Sequence, residues 1–163
     1  MDANIAVAAA ESHALCTILL VIDGQDKVEA ILDPGCQVVV IFKEVCNMLV
    51  LPYDPTVWLH IMSANSSVDQ SLGLSHNVPF HVGDITLYLQ VHVLHKPTYD
   101  ILLGQPLDVL ICSIVHNYMD ENQTITILNP NTGCKAMVPT ILHSSFHFTD
   151  HHIKKNPAPA QDF

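Results

Sequence analysis

Between Val78 and Val93 the chain alternates. Val78, Phe80 and Val82 are apolar, with Pro79 and His81 between them. Beyond Gly83-Asp84, Ile85, Leu87, Leu89, Val91 and Val93 alternate with Thr86, Tyr88, Gln90 and His92. A period of two sends successive side chains to opposite faces, so this is a half-buried antiparallel hairpin. His81 and His92 fall on the polar phase, which puts them at the surface and not in a ligand set. Elsewhere the apolar residues form short runs without a helical period. Cys16 to Ile22, Lys27 to Leu32, Val38 to Phe42 and Asp100 to Leu103 read as strands. Asp23-Gly24 is a hairpin-type turn between the first two. Val57 to Met62 and Val68 to Leu74 are two strands around Asn65-Ser66. Thr124 to Leu128 and Cys134 to Thr140 flank the turn cluster Asn129-Pro130-Asn131-Thr132-Gly133. Lys43 to Leu49 reads as a short helix that stops before Pro52. These short strands and repeated turn signals predict a mostly β, closed or partly closed barrel.

Composition narrows the picture. A chain of 163 residues fits one domain. With 49% hydrophobic and 13% charged residues it can build a large core and leave apolar surface for a subunit interface. The formal net charge is -10 and there is no basic run, which argues against nucleic-acid binding through phosphates. Eleven histidines make the charge strongly pH-dependent below about pH 6.5. No apolar run reaches the ~18 residues of a membrane span. Residues 1–12 are Ala-rich, carry Asp2 and Glu11 and lack Lys and Arg, so they read as a flexible leader and a poor signal peptide. The five cysteines are odd in number, irregularly spaced and without a CxxC pair. They read as reduced, mostly buried thiols of an intracellular, cytoplasmic protein. His143, His147 and His151 are four apart and could share a helix face that holds a metal. Ser144, Ser145, Thr149 and Asp150 lie among them, and Asn156-Pro157-Ala158-Pro159 follows. Residues 143–163 therefore read as a flexible tail, with no metal and no cofactor expected. No Gly-rich phosphate loop and no GxSxG elbow occurs.

Candidate chemistry gathers in the stretch from Val28 to Phe42. The apolar run Ala30-Ile31-Leu32 ends in Asp33, and Pro34-Gly35 turns the chain before Val38 to Phe42. A carboxylate between two buried strands needs a reason, because an unpaired buried charge is costly. One reason is local: a turn aspartate accepts hydrogen bonds from nearby backbone amides. The other comes from a second stretch far down the chain, Tyr99-Asp100-Ile101-Leu102-Leu103-Gly104-Gln105-Pro106. An apolar pair followed by Asp-x-Gly-small, and later Ile-Leu-Leu-Gly, resembles the retropepsin-like aspartic proteases of retroviruses and retrotransposons. Between them, Met62-Ser63-Ala64-Asn65-Ser66 and on to Leu74 resembles the flap hairpin of fungal retroelement proteases. The resemblance runs from about Cys16 to Thr140 and sets a domain at 13–142.

The resemblance implies an all-β acid-protease barrel with a flap hairpin and one short helix near Pro106–Val115, with Pro106 in its first turn. It implies catalysis by Asp33 on the loop Pro34, Gly35 and Cys36. The flap would span Met62, Ser63, Ala64, Asn65 and Ser66, and Leu103 and Gly104 would support the loop. Enzymes of this kind use two carboxylates that share a proton, and the chain has one Asp-x-Gly. The resemblance therefore implies a homodimer, joined at the Asp33 loop and the terminal strands, acting on an extended polypeptide substrate. Position 34 departs from the family pattern. Pro34 replaces a Ser or Thr whose hydroxyl ties the two loops together. Position 36 is usually Ala and here is Cys36. Gln37 and Gln105 stand where many members carry an acid and an arginine, so both halves of that pair are absent together. Two functions follow: an endopeptidase weakened by Pro34, or a non-catalytic dimer that binds peptides by strand addition. A third reading is an unrelated small barrel in which Asp33 is only a turn residue.

Overall fold

The structure, a computed structural model, describes residues 16–62, 66–95, 99–120 and 122–142. The leader 1–12, the tail 143–163 and the histidines at 143, 147 and 151 lie outside these residues.

The chain opens with β1 (Cys16–Ile22) and β2 (Lys27–Leu32). Asp23 and Gly24 both have positive φ, as a type I′ turn requires, and Gln25 N–H closes the turn on the Ile22 carbonyl at 2.9 Å. Next come β3 (Val39–Phe42) and α1 (Lys43–Met48). A small hairpin of β4 (His60–Met62) and β5 (Val68–Gln70) precedes the long pair β6 (Gly73–Val82) and β7 (Ile85–Leu94). β8 (Ile101–Leu103) leads into α2 (Gln105–Ile111). The chain ends in β9 (Ile114–Asn117), β10 (Gln123–Leu128), β11 (Lys135–Pro139) and β12 (Ile141–Leu142).

The strands pair in the order β1-β2-β8-β3-β7-β6, and β6 returns to β1. This closes a six-stranded barrel. β12 joins β1 at Cys16 and Thr17, beyond the part of β1 that pairs with β6. β9, β10 and β11 form a separate three-stranded sheet, and Ile125 and Ile127 of β10 enter the barrel core.

Alternation explains the core. Ile18, Leu20 and Ile22 of β1 point inward, as do Val78, Phe80 and Val82 of β6 and Ile85 to Val93 of β7. The continuous apolar runs have a different cause. Val39, Ile41, Ile101 and Leu103 face the barrel interior, while Val40, Leu94 and Leu102 face outward into a second buried cluster. Strands buried on both faces lose the polar phase, which is why these runs do not alternate. The β6–β7 ladder carries a bulge between Ser75 and Val78, where Asn77 takes a positive φ. Gln90 closes the gap by donating to Asn77 Oδ1 at 2.6 Å and accepting the Asn77 N–H at 3.1 Å.

Several expectations are corrected. The two short helices, α1 and α2, lie on the two stretches read as helical, with shifted bounds. α2 stops at Ile111 and does not reach Val115, because Cys112 adopts the left-handed conformation and ends the helix. Ile114 and Val115 belong to β9 instead. Gly73 and Leu74 belong to β6 and not to the small hairpin, since Leu74 bridges to Asp54. The thiols are not mostly buried: Cys46 is buried, Cys16 and Cys36 are half-buried, and Cys112 and Cys134 are exposed at a helix end and a turn. His81 and His92 are half-buried, and the Nδ1 of each meets a hydroxyl, of Thr86 and Ser71 respectively. No helix among the described residues is long and apolar enough to cross a membrane.

Candidate active site

β2 delivers Asp33 to the open end of the parallel β2–β8 pair. The Asp33 N–H donates to the Leu103 carbonyl at 3.0 Å and so carries that ladder one residue past Leu32. Pro34 and Gly35 then turn the chain, and the Cys36 N–H donates to the Asp33 carbonyl at 3.0 Å. Proline suits the second position of such a turn because its φ is preset. The Gly35 N–H donates to Asp33 Oδ1 at 3.0 Å. One carboxylate oxygen thus serves the turn, as the local reading of Asp33 expects. The other makes no hydrogen bond among the described residues. Asp33 and Cys36 are half-buried, while Pro34 and Gly35 are exposed.

The far side of the loop is fixed by β8 and α2. The Gln105 N–H, an unsatisfied donor of the first helical turn, donates to the Cys36 carbonyl at 2.7 Å. Gly104 lies directly under the loop backbone. A Cβ there would overlap the Val38 carbonyl oxygen and stand 2.5 Å from that of Cys36. Leu103 and Gly104 therefore meet the Asp33 loop through backbone contacts. The side chains of Gln37 and Gln105 are exposed and make no hydrogen bond among the described residues.

Above the loop lies the outward-facing cluster of Val40, Leu94 and Leu102, with Cys36, Val38, Ile61 and Tyr99 packed against it. Burial pushes the Tyr99 phenol above its ordinary range, and the nearby Cys36 thiol and Asp33 and Asp69 carboxylates push it further. The β4–β5 hairpin reaches this cluster through Ile61, which stands directly opposite Asp69. Met62 and Ser66, at the ends of the hairpin loop, are exposed; Ser63, Ala64 and Asn65 lie outside the described residues. Two bonds tie the hairpin base: Ser71 N–H to the Leu59 carbonyl at 2.9 Å, and Leu59 N–H to Ser71 Oγ at 3.1 Å. Ser71 Oγ also meets His92 Nδ1 at 3.3 Å, and burial holds the imidazole below its usual range. The sequence reading did not single out Tyr99, Ile61 or Asp69. The available signal was an aromatic residue immediately before the Asp100–Gly104 motif. Among the described residues no group of three His, Cys, Asp or Glu side chains is placed to hold a metal ion.

A model of the aspartyl protease family matches residues 18–107, a span that holds Asp33, the β4–β5 hairpin and Gly104. The chain belongs to the aspartyl protease family. No curated protein matches it in sequence. Among solved structures it is similar to the crystal structure of the retroviral protease-like domain of Ddi1 from Leishmania major. The identity is 16% and the TM-score 0.61, with 80% of this chain and 96% of that chain covered. At this identity the likeness establishes the fold, a retropepsin-like barrel. The family match ends within α2, so the β9–β11 sheet lies beyond it.

Proposed function

We propose that this chain is a retropepsin-like aspartic endopeptidase domain of retroelement type, working as a homodimer on extended polypeptide. The observation that carries the reading is the Asp33 loop. It is pinned by Leu103 and Gln105, closed over Gly104, and presents one carboxylate oxygen with no partner among the described residues. Two Asp33 carboxylates, one from each subunit, would meet on the twofold axis. Two such groups about 3 Å apart cannot both ionise, so one keeps a proton. The ionised one takes a proton from water as it attacks the peptide carbonyl, and the other protonates the departing amine side. The β4–β5 hairpin, from Met62 to Ser66 at its tip, would act as the flap that shuts water out.

The β9 strand supports a second copy. It is an edge strand of its sheet, all four of its residues are exposed, and Ile114 and Val115 are 52% and 41% exposed. Apolar edges of this kind are normally covered. Pro34 favours a second reading, a non-catalytic dimer that binds peptide without cutting it, because proline offers no hydroxyl to tie the two loops. Cleavage of a denatured polypeptide at acidic pH, with Asp33→Asn as the control, separates the two. Cleavage that Asp33→Asn abolishes supports the protease. Peptide binding without cleavage supports the module, and neither would end both.

A further inference from the structure

The surface where the Asp33 loop and the β4–β5 hairpin meet one apolar cluster has a chemistry of its own. Ile61 packs on the cluster of Val40, Leu94 and Leu102, which Cys36 and Val38 of the Asp33 loop also pack against. Directly opposed residues of an antiparallel pair put their side chains on the same face. Asp69 is opposite Ile61 and therefore lies on the same face of the hairpin. The carboxylate is exposed and has no hydrogen bond or ion pair among the described residues. Across from it is Tyr99, whose ring is half-buried on the same cluster and whose hydroxyl has no hydrogen-bond partner among the described residues. The raised phenol of Tyr99 agrees with this placement, since Asp33 and Asp69 both act on it.

Apolar floor, aromatic wall and carboxylate rim together suit one kind of side chain. Lysine and arginine lay an apolar stem along such a surface while the charged head stays near water. A cation beside an aromatic face gains further attraction. We propose that Ile61, Tyr99 and Asp69 form a subsite for a cationic side chain, so that the peptides taken by this groove carry Lys or Arg near the site of attack. The chain's formal net charge of -10 draws basic polypeptides in the same sense. The inference rests on the peptide-groove reading above and deepens it by naming the substrate class.

The test uses the full chain and a random-sequence synthetic peptide mixture, with cut positions read by mass spectrometry. Lys and Arg should be enriched at one position near the cut by about fivefold, the factor given by an exposed ion pair near the top of its range. Asp69→Asn should erase the enrichment and Asp69→Lys should shift it to Asp and Glu. Asp84→Asn, at the β6–β7 turn, removes the same charge elsewhere and should leave the preference alone. Cleavage without Lys or Arg enrichment overturns the subsite, as does enrichment that survives Asp69→Asn. If nothing is cut, the same mixture is passed over immobilised chain. Retention of Lys- and Arg-bearing peptides that Asp69→Asn loses keeps the subsite while ending the protease reading. Retention that is indifferent to charge, or no retention, overturns the subsite.

Discussion

At Gly104 a single hydrogen separates two fates for the Asp33 loop. The atoms that a Cβ would strike are the carbonyl oxygens of Val38 and Cys36, which are backbone and cannot rotate away. Gly104→Ala is expected to destabilise the fold by about 3 kcal/mol, the upper part of the overpacking range, with a matching fall in the urea midpoint. Gly35→Ala should cost less, because its Cβ would meet only Asp33 Oδ1, at 3.2 Å. His92 sets a second expectation. Burial lowers its pKa in the folded state, so the unfolded chain binds the proton more readily. Stability is then full above the unfolded value near 6.5 and falls as pH drops through that value toward the folded one. Thermal melts between pH 7.5 and 5 should show this loss, and His92→Gln should reduce it. Asp33 and Gly104 were legible in the sequence because turn chemistry and a missing side chain are local signals. Tyr99 and Asp69 were not, since their meaning depends on a neighbour that only the fold supplies.

The elements were legible where one face met water. β1 and β2 span the residues that their runs and turn indicated, and β7 follows its alternation. The misread boundaries have backbone causes. The left-handed Cys112 cuts α2 short and frees Ile114 for β9. Leu74 leaves the small hairpin for a bridge to Asp54, and a Cβ at Gly73 would lie 2.5 Å from the Asp54 carbonyl oxygen. The hairpin that remains is thin. β4 and β5 share three residue pairs, and among their residues only Ile61 is even partly covered. β7 instead lies between β3 and β6 with its inward side chains in the core. Amide exchange at residues 60–62 and 68–70 should be faster than at 87–93 by at least about a hundredfold, as expected for local opening against near-global opening. Equal protection would deny the hairpin the freedom of a flap. Binding of a peptide beneath it should slow exchange at these same amides.

On the scale of the whole molecule, the proposed homodimer would have to hold two Asp33 loops in register. β9 offers an edge with exposed Ile114 and Val115, and a charge in that strand should keep the chains apart. Ile114→Lys is expected to sediment as a monomer at about 100 μM, a concentration at which micromolar interfaces are filled, while the parent chain is a dimer. A monomeric parent would remove the dyad along with the dimer. In that proposed dimer, Pro34 would decide how well the dyad works. The catalytic water needs both carboxylates placed within a fraction of an ångström, so any slack between the loops lowers the rate. Within one chain the loop is sound, because the turn at Pro34-Gly35 closes and Leu103 and Gln105 pin its ends. What proline cannot supply is a hydroxyl to donate across the axis, a bond of about 1 kcal/mol in each subunit. Pro34→Ser should therefore leave the monomer fold intact, tighten the dimer by at least about tenfold and raise acid cleavage in step. Dimer affinity and cleavage both unchanged would show that Pro34 does not limit the proposed dyad. A tighter dimer without faster cleavage would move the fault from the joining of the loops to the chemistry at Asp33.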